Sequence, residues 1–227
     1  MNISEIFYSV QGEGMLTGVP SVFIRTTGCN LRCTWCDTPY TSWEPEGTDL
    51  TLGGILSTVR RFWASHVVVT GGEPMIAPEV VKLTEGLKHL EQHITIETAG
   101  TVFKPVTCDL MSISPKLSNS TPHERDDGQW AAQHDRLRIQ PDILRQLITT
   151  YPYQLKFVVK HKNDIAEIKS LVEDLGAEKV RVLLMPEGTD SLTLRERAPW
   201  IAEVCKKEGY RYCSRLHIDL YGNKRGT

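Results

Sequence analysis

Val22-Phe23-Ile24-Arg25-Thr26-Thr27-Gly28-Cys29-Asn30-Leu31-Arg32-Cys33-Thr34-Trp35-Cys36-Asp37-Thr38 begins as a branched, apolar run and ends as a loop carrying three cysteines. The run over Val22 to Thr26 has the composition of a buried strand. Gly28 then lets the backbone leave that strand for a tight ligand loop. The cysteines follow the pattern Cys-x3-Cys-x2-Cys, so three soft donors are held close together.

Outward from this stretch, similar apolar runs recur, each followed by turn residues and a segment of helical spacing. The predicted strands are Val22 to Thr26, His66 to Thr70, His93 to Thr98, Asp109 to Ser114, Gln154 to Val159, Val180 to Leu184 and Arg215 to Leu220. Thr51 suits the cap of a helix running to about Trp63. Pro78 suits the first turn of another, striped by Val80, Leu83, Leu87 and Leu90. Asn163 begins a helix ended by Gly176, and Thr193 to Glu208 is helical in pattern with Pro199 marking a late start or a kink. This alternation predicts an α/β fold with a mostly parallel sheet, an incomplete (β/α) barrel. One domain over residues 1–227 is expected, because no linker composition or repeat divides the chain. In such a fold the loops after the strand carboxyl ends form the active face. The polar stretch from Ser118 to Asp135 reads as a long exposed loop and receives no role.

The 227 residues carry a formal net charge of -2, which disfavours broad attraction to nucleic acid or anionic membrane. There is no signal-peptide pattern and no run of about 18 apolar residues, so a cytoplasmic location is expected. Three of the six cysteines lie between Gly28 and Asp37, which points to a metal site rather than a disulfide framework. Cys108, Cys205 and Cys213 are scattered and read as inert thiols.

Three thiolates can hold an iron-sulfur cubane at three irons and leave the fourth iron open to a ligand. A structural zinc ion would want a fourth protein ligand, and only the distant Cys108 or His66 could supply it. The Cys-x3-Cys-x2-Cys loop, with Trp35 before its last cysteine and a strand ahead of it, resembles the radical S-adenosylmethionine (SAM) signature. That resemblance implies a 4Fe-4S cluster on Cys29, Cys33 and Cys36, with SAM chelating the open iron and Trp35 near the adenine. Thr70-Gly71-Gly72-Glu73-Pro74 resembles the superfamily's Gly-Gly-Glu-Pro motif, which meets the methionyl amino group. Glu97-Thr98-Ala99-Gly100-Thr101 and Ser114-Pro115-Lys116 end two further strands in positions suited to the cofactor. The SAM contacts implied are Trp35, Cys36, Asp37, Gly72, Glu73, Thr98, Ser114, Pro115, Lys116 and, through backbone, Met185.

At the N-terminus, Glu5-Ile6-Phe7-Tyr8-Ser9-Val10-Gln11-Gly12-Glu13-Gly14 places a glycine-flanked polar loop, about residues 8–14, after an apolar strand-like start. With the cysteine loop, it is similar to the 7-carboxy-7-deazaguanine synthase family. The resemblance covers most of the chain, including the closing run from Leu216 to Thr227. It implies a ring contraction of 6-carboxy-5,6,7,8-tetrahydropterin: hydrogen is abstracted at C6, the radical rearranges, and ammonia is lost to give 7-carboxy-7-deazaguanine. The implied substrate contacts are Val10, Gln11, Gly12, Glu13, Arg25, Thr70, His217 and Thr227. A guanidinium at Arg25 suits a carboxylate because it can grip with two hydrogen bonds. Thr38 matches a threonine that ligates Mg2+, with substrate oxygens and waters filling the octahedron. The resemblance also implies a homodimer and an electron donor such as flavodoxin. No general base stands out. The rival readings are an activase of glycyl-radical enzymes, and a non-enzymatic iron-sulfur or zinc protein.

Overall fold

The structure, a computed structural model, describes residues 1–227. Strand β1 (Asn2–Val10) returns through residues 11–19 into β2 (Pro20–Thr26) as an antiparallel hairpin. The cysteine loop leads to α1 (Pro39–Ser42), the edge strand β3 (Thr48–Asp49) and α2 (Leu52–Val59). There follow β4 (His66–Gly71), α3 (Val80–His89), β5 (His93–Thr98), β6 (Leu110–Ile113), α4 (Ala131–Arg138) and α5 (Pro141–Thr150). Then come β7 (Tyr153–Val159), α6 (Asp164–Leu175), β8 (Val182–Pro186), α7 (Ser191–Glu208), β9 (Arg211–Tyr212) and α8 (Leu216–Tyr221).

All nine strands form one sheet in the order β3-β1-β2-β4-β5-β6-β7-β8-β9. From β2 to β9 every pairing is parallel, and only β1 runs against its neighbours. Since β3 and β9 are free edges, the expected incomplete (β/α) barrel is what forms.

Alternation along the strands sorts the two faces of the sheet. Val22 and Ile24, Val67 and Val69, Ile94 and Ile96, and Leu155, Phe157 and Val159 point to one side. There they meet Ile55 of α2, Leu83 and Leu87 of α3, Leu144 and Leu147 of α5, and Ile168 of α6 in a single core. Each such fully buried side chain contributes about 1.5–3 kcal/mol of transfer free energy. The other face carries Phe23, Arg25, Thr70, Glu97, Lys156, Val158 and Met185, all of which line a cavity.

Helix ends follow the sequence reading in several places. Thr51 caps α2, its hydroxyl accepting from Gly54 N–H at 3.1 Å, and α6 ends on Gly176 at φ 63°. No helix is long and apolar enough to cross a membrane.

Three expectations are corrected, and one helix is added. Arg215 to Leu220 is not a strand; Leu216–Tyr221 is helical, with only Ile218 buried. A window this short fits both periods, and the sheet edge beyond β8 is already taken by β9. The stretch 118–135 is not simply an exposed loop: it holds two 3-10 turns and the start of α4, and Ser120, Thr121 and His134 are buried. The Asn119 and His134 side chains bond to the cysteine loop, while Glu124, Asp126 and Asp127 stay exposed. Helix α5 is absent from the sequence reading although Pro141 stands in its first turn. Pro199 marks no late start, because α7 begins at Ser191 and continues through it.

Candidate active site

At the carboxyl ends of the parallel strands lies a cavity of about 560 Å³, within the range of about 300–1,000 Å³ usual for small-molecule sites. Its wall is assembled from the hairpin loop, the cysteine loop, the ends of β4 to β8 and the C-terminal segment. Cys29, Cys33, Cys36, Trp35, Asp37 and Thr38 line it, as do Gly72, Thr98, Ser114, Lys116 and Met185. Val10, Gln11, Gly12, Glu13, Arg25, Thr70, His217 and Thr227 line it too. Of the residues singled out in the sequence, Glu73 and Pro115 stand outside the lining.

The three cysteines are free thiols packed with Leu31, Ala99 and Leu137. Burial pushes the Cys29 thiol up to about 12 and moves Cys33 in the same direction. Both are therefore protonated until a metal displaces the proton. No three His, Cys, Asp or Glu side chains converge tightly enough to chelate one ion. A closed zinc site would want a fourth protein ligand, whereas three soft sulfurs can hold a cubane at three of its irons. The donor set thus fits a cluster.

The loop is braced from behind. Thr34 N–H donates to the Ser120 carbonyl at 2.8 Å, and the Trp35 indole donates to the Asn119 carbonyl at 3.0 Å. Arg32 N–H donates to His134 Nδ1 at 3.1 Å, so the other ring nitrogen carries the proton and meets Ser120 Oγ at 2.9 Å. Trp35 packs its ring against Val158, Leu183, Met185 and Cys213. Lys116 Nζ lies 5.9 Å from that ring and donates to Ser114 Oγ at 2.8 Å.

Gly71 and Gly72 bring the end of β4 against the start of the cysteine loop. A Cβ on Gly72 would stand 2.1 Å from the Gly28 carbonyl oxygen, so no other residue fits that approach. Glu73, wholly buried, turns inward: its oxygens accept from Met75 N–H, Thr98 Oγ1 and Ala99 N–H. It fastens the turn to β5 instead of facing the cavity.

Charged groups fill the opposite wall. Gln11 Nε2 donates to Glu97 Oε1 at 3.1 Å, and Thr70 Oγ1 donates to Glu97 Oε2 at 2.8 Å. Glu13 pairs through one oxygen with Lys156 and through the other with Arg215 Nε at 3.0 Å. Arg215 also pairs with Asp37. Burial alone would raise the Glu13 carboxyl, but Lys156 and Arg215 outweigh it and hold the group well below the carboxylate range. Burial likewise opposes the Lys156 ammonium, and Glu13 and Glu97 outweigh it, holding Lys156 above the usual lysine range. His217 packs its ring where a side chain on Gly12 would sit, 2.0 Å from the place of a Cβ. Arg25 gives its Nε to Glu5 Oε1 at 2.7 Å, and its terminal nitrogens make no bond within the chain. Glu5 also accepts from Tyr40 Oη at 3.0 Å, and Arg225 stacks on Tyr40 at 4.1 Å.

Lys156, Arg215, Tyr40 and Arg225 were not legible as cavity residues in the sequence. For Lys156 a signal existed: a lysine in the middle of a central strand needs a buried partner. Arg215 carried none, since the strand expected there would have hidden its role.

Residues 23–117 match the model of the radical SAM superfamily. A 7-carboxy-7-deazaguanine synthase of Rhodopirellula baltica is 47% identical over 99% of this chain and 88% of that protein. One of Halobacterium salinarum is 45% identical over 99% of this chain and 92% of its own. Among solved structures, the crystal structure of QueE from Escherichia coli superposes with a TM-score of 0.71 at 26% identity, covering 95% of this chain and 94% of that one. SuiB of Streptococcus suis shares the fold, with a TM-score of 0.59 at 11% identity over 85% of this chain and 47% of that one.

Proposed function

The chain belongs to the 7-carboxy-7-deazaguanine synthase family of radical SAM enzymes, and from that premise we propose that it contracts 6-carboxy-5,6,7,8-tetrahydropterin to 7-carboxy-7-deazaguanine with loss of ammonia. The observation that carries this reading is a meeting of parts in one cavity: three cysteines, the Gln11 to Glu13 loop, and Arg25 with its terminal nitrogens unbonded.

Cys29, Cys33 and Cys36 would hold a 4Fe-4S cluster, which together with SAM would supply one-electron, hydrogen-abstracting chemistry. The protein's own work is holding and shielding. Trp35, Val158 and Met185 form an apolar wall for an adenine, with Lys116 and Ser114 as polar edge groups. Gly72 and Thr98 line the same cavity as the thiols and would border the methionyl part. Arg25 offers a two-pronged grip for the substrate carboxylate. Gln11, Glu13 and Thr70 supply donors and acceptors for the ring, and His217 and Thr227 border the same space. The Thr38 hydroxyl, 3.9 Å from Cys36 Sγ, would offer one oxygen to Mg2+, and substrate and water would have to supply the rest. Such positioning lowers the barrier by fixing reacting atoms in place. A flavodoxin-type electron donor and a homodimer belong to the same reading and rest on the family resemblance.

The test is anaerobic reconstitution with iron and sulfide, then incubation with SAM, reductant and the tetrahydropterin. The expected products are 7-carboxy-7-deazaguanine and 5'-deoxyadenosine, with no partner protein required. A cluster-loaded enzyme that cleaves SAM but leaves the pterin unchanged refutes the assignment.

A further inference from the structure

Lys156 stands on the cavity face of β7, between Gln154 and Val158, and is 5% exposed. An ammonium this deep in a sheet is costly unless paired. Its one hydrogen-bond partner is Glu13. Glu13 comes from the hairpin loop, 143 residues away in sequence, and its second oxygen is taken by Arg215, itself 6% exposed. Arg215 is fixed in turn by the Gly188 carbonyl at 2.5 Å and by Asp37. One carboxylate is therefore clamped between two buried cations. A carboxylate has roughly four lone-pair sites. Two are occupied, and Glu13 lines the cavity with the others unspent.

We propose that Lys156 is a positioning residue for substrate recognition: it keeps Glu13 charged and aimed, so that Glu13 accepts from the N–H-rich pyrimidine edge of the pterin. The inference rests on the substrate reading above. The ring's 2-amino group and neighbouring N–H are donors, which only an acceptor can recognise. A protonated carboxyl would turn one of its acceptors into a competing donor.

The surroundings support this division of labour. His217 faces Glu13 from α8, and burial holds its imidazole below the usual range. Asp37 faces Arg215 from the cysteine loop, Glu97 faces Lys156 from β5, and the Cys213 thiol sits beside the Gly14 N–H at 3.0 Å. Burial pushes that thiol up to about 11, so it adds no charge near neutrality. Without Lys156, Glu13 keeps its burial and loses one of the two cations that oppose it, so its protonation moves upward.

Anaerobic titration calorimetry of the SAM-loaded holoenzyme with 6-carboxy-5,6,7,8-tetrahydropterin, over roughly pH 6 to 9, tests this with Lys156→Met, Lys156→Arg, Glu13→Gln and the Lys156→Met/Glu13→Gln double variant. Lys156→Met should bind about tenfold or more weakly near neutrality and recover as pH rises. Lys156→Arg should restore the wild-type pH profile. The double variant should bind no more weakly than Glu13→Gln alone, because one residue acts through the other. Losses that add in the double variant, or Lys156→Met binding with the wild-type affinity and profile, overturn the inference. If Lys156→Met is unfolded by circular dichroism, the remaining variants decide: Lys156→Arg must bind like the wild type and Glu13→Gln must bind weakly at every pH, and failure of either overturns it. A wild-type holoenzyme that does not bind the pterin removes the substrate reading as well, which separates the two failures.

Discussion

Replacing Arg25 with Met removes the one guanidinium in the cavity wall whose terminal nitrogens have no partner within the protein. In the proposed complex those nitrogens make two charge-assisted bonds to the substrate carboxylate. Each such bond is worth about 1.5–3 kcal/mol, and the second adds less than the first because desolvation is shared. The fork is then worth about 3–4 kcal/mol, or roughly 100- to 1,000-fold in kcat/KM. The cost to the fold is smaller. Glu5 loses its 2.7 Å bond to Arg25 Nε but keeps Tyr40 Oη at 3.0 Å and lies 3.8 Å from Arg225. A stability loss of about 1 kcal/mol corresponds to about 2–4 °C in Tm for a chain of this size. Steady-state formation of 7-carboxy-7-deazaguanine, measured beside substrate-free release of 5'-deoxyadenosine, separates binding from cofactor chemistry. Arg25→Met should lose the first and retain the second, and Arg25→Lys should fall between, because a point charge cannot fork. An unchanged KM and kcat in Arg25→Met would refute the reasoning.

Cys33→Ala should leave the fold intact while abolishing bound iron-sulfur absorbance and 5'-deoxyadenosine release; retained activity counts against a three-cysteine cluster. Gly72→Ala places a Cβ against two backbone carbonyls, Gly28 at 2.1 Å and Thr41 at 2.8 Å. Overpacking of this kind costs about 1–3 kcal/mol, read as a Tm lowered by about 2–12 °C; an unchanged Tm would show that the loop moves freely. His134 is held by burial at about 4, against an ordinary 6.5. The unfolded chain therefore binds the extra proton more readily, and stability falls as pH drops from about 6.5 toward 4. Denaturant midpoints of His134→Leu should lack that part of the decline, and an identical slope in both proteins would remove His134 as its source.

Most strands were legible in the sequence because parallel strands buried on both faces read as short branched runs, as in Val67 to Val69 and Leu155 to Val159. The cysteines, Gly72 and the hairpin loop were legible for a different reason: their chemistry lies in local spacing. Lys156, Arg215 and Glu97 act through partners far along the chain, and no window of sequence displays such a pair. Helix α8 was misread because Leu216, Ile218 and Leu220 alternate like a strand, yet Leu220 points to solvent. The stretch 118–135 was misread because polar composition says that a segment needs hydrogen bonds, not whether water or another loop provides them.

The brace behind the cysteine loop ties it to a distant part of the chain. Ser120, Asn119 and His134 occupy the polar groups of Thr34, Trp35 and Arg32, so the sulfur-bearing segment takes part of its shape from residues far along the chain. Damage to that remote stretch would loosen the thiols without touching any of them.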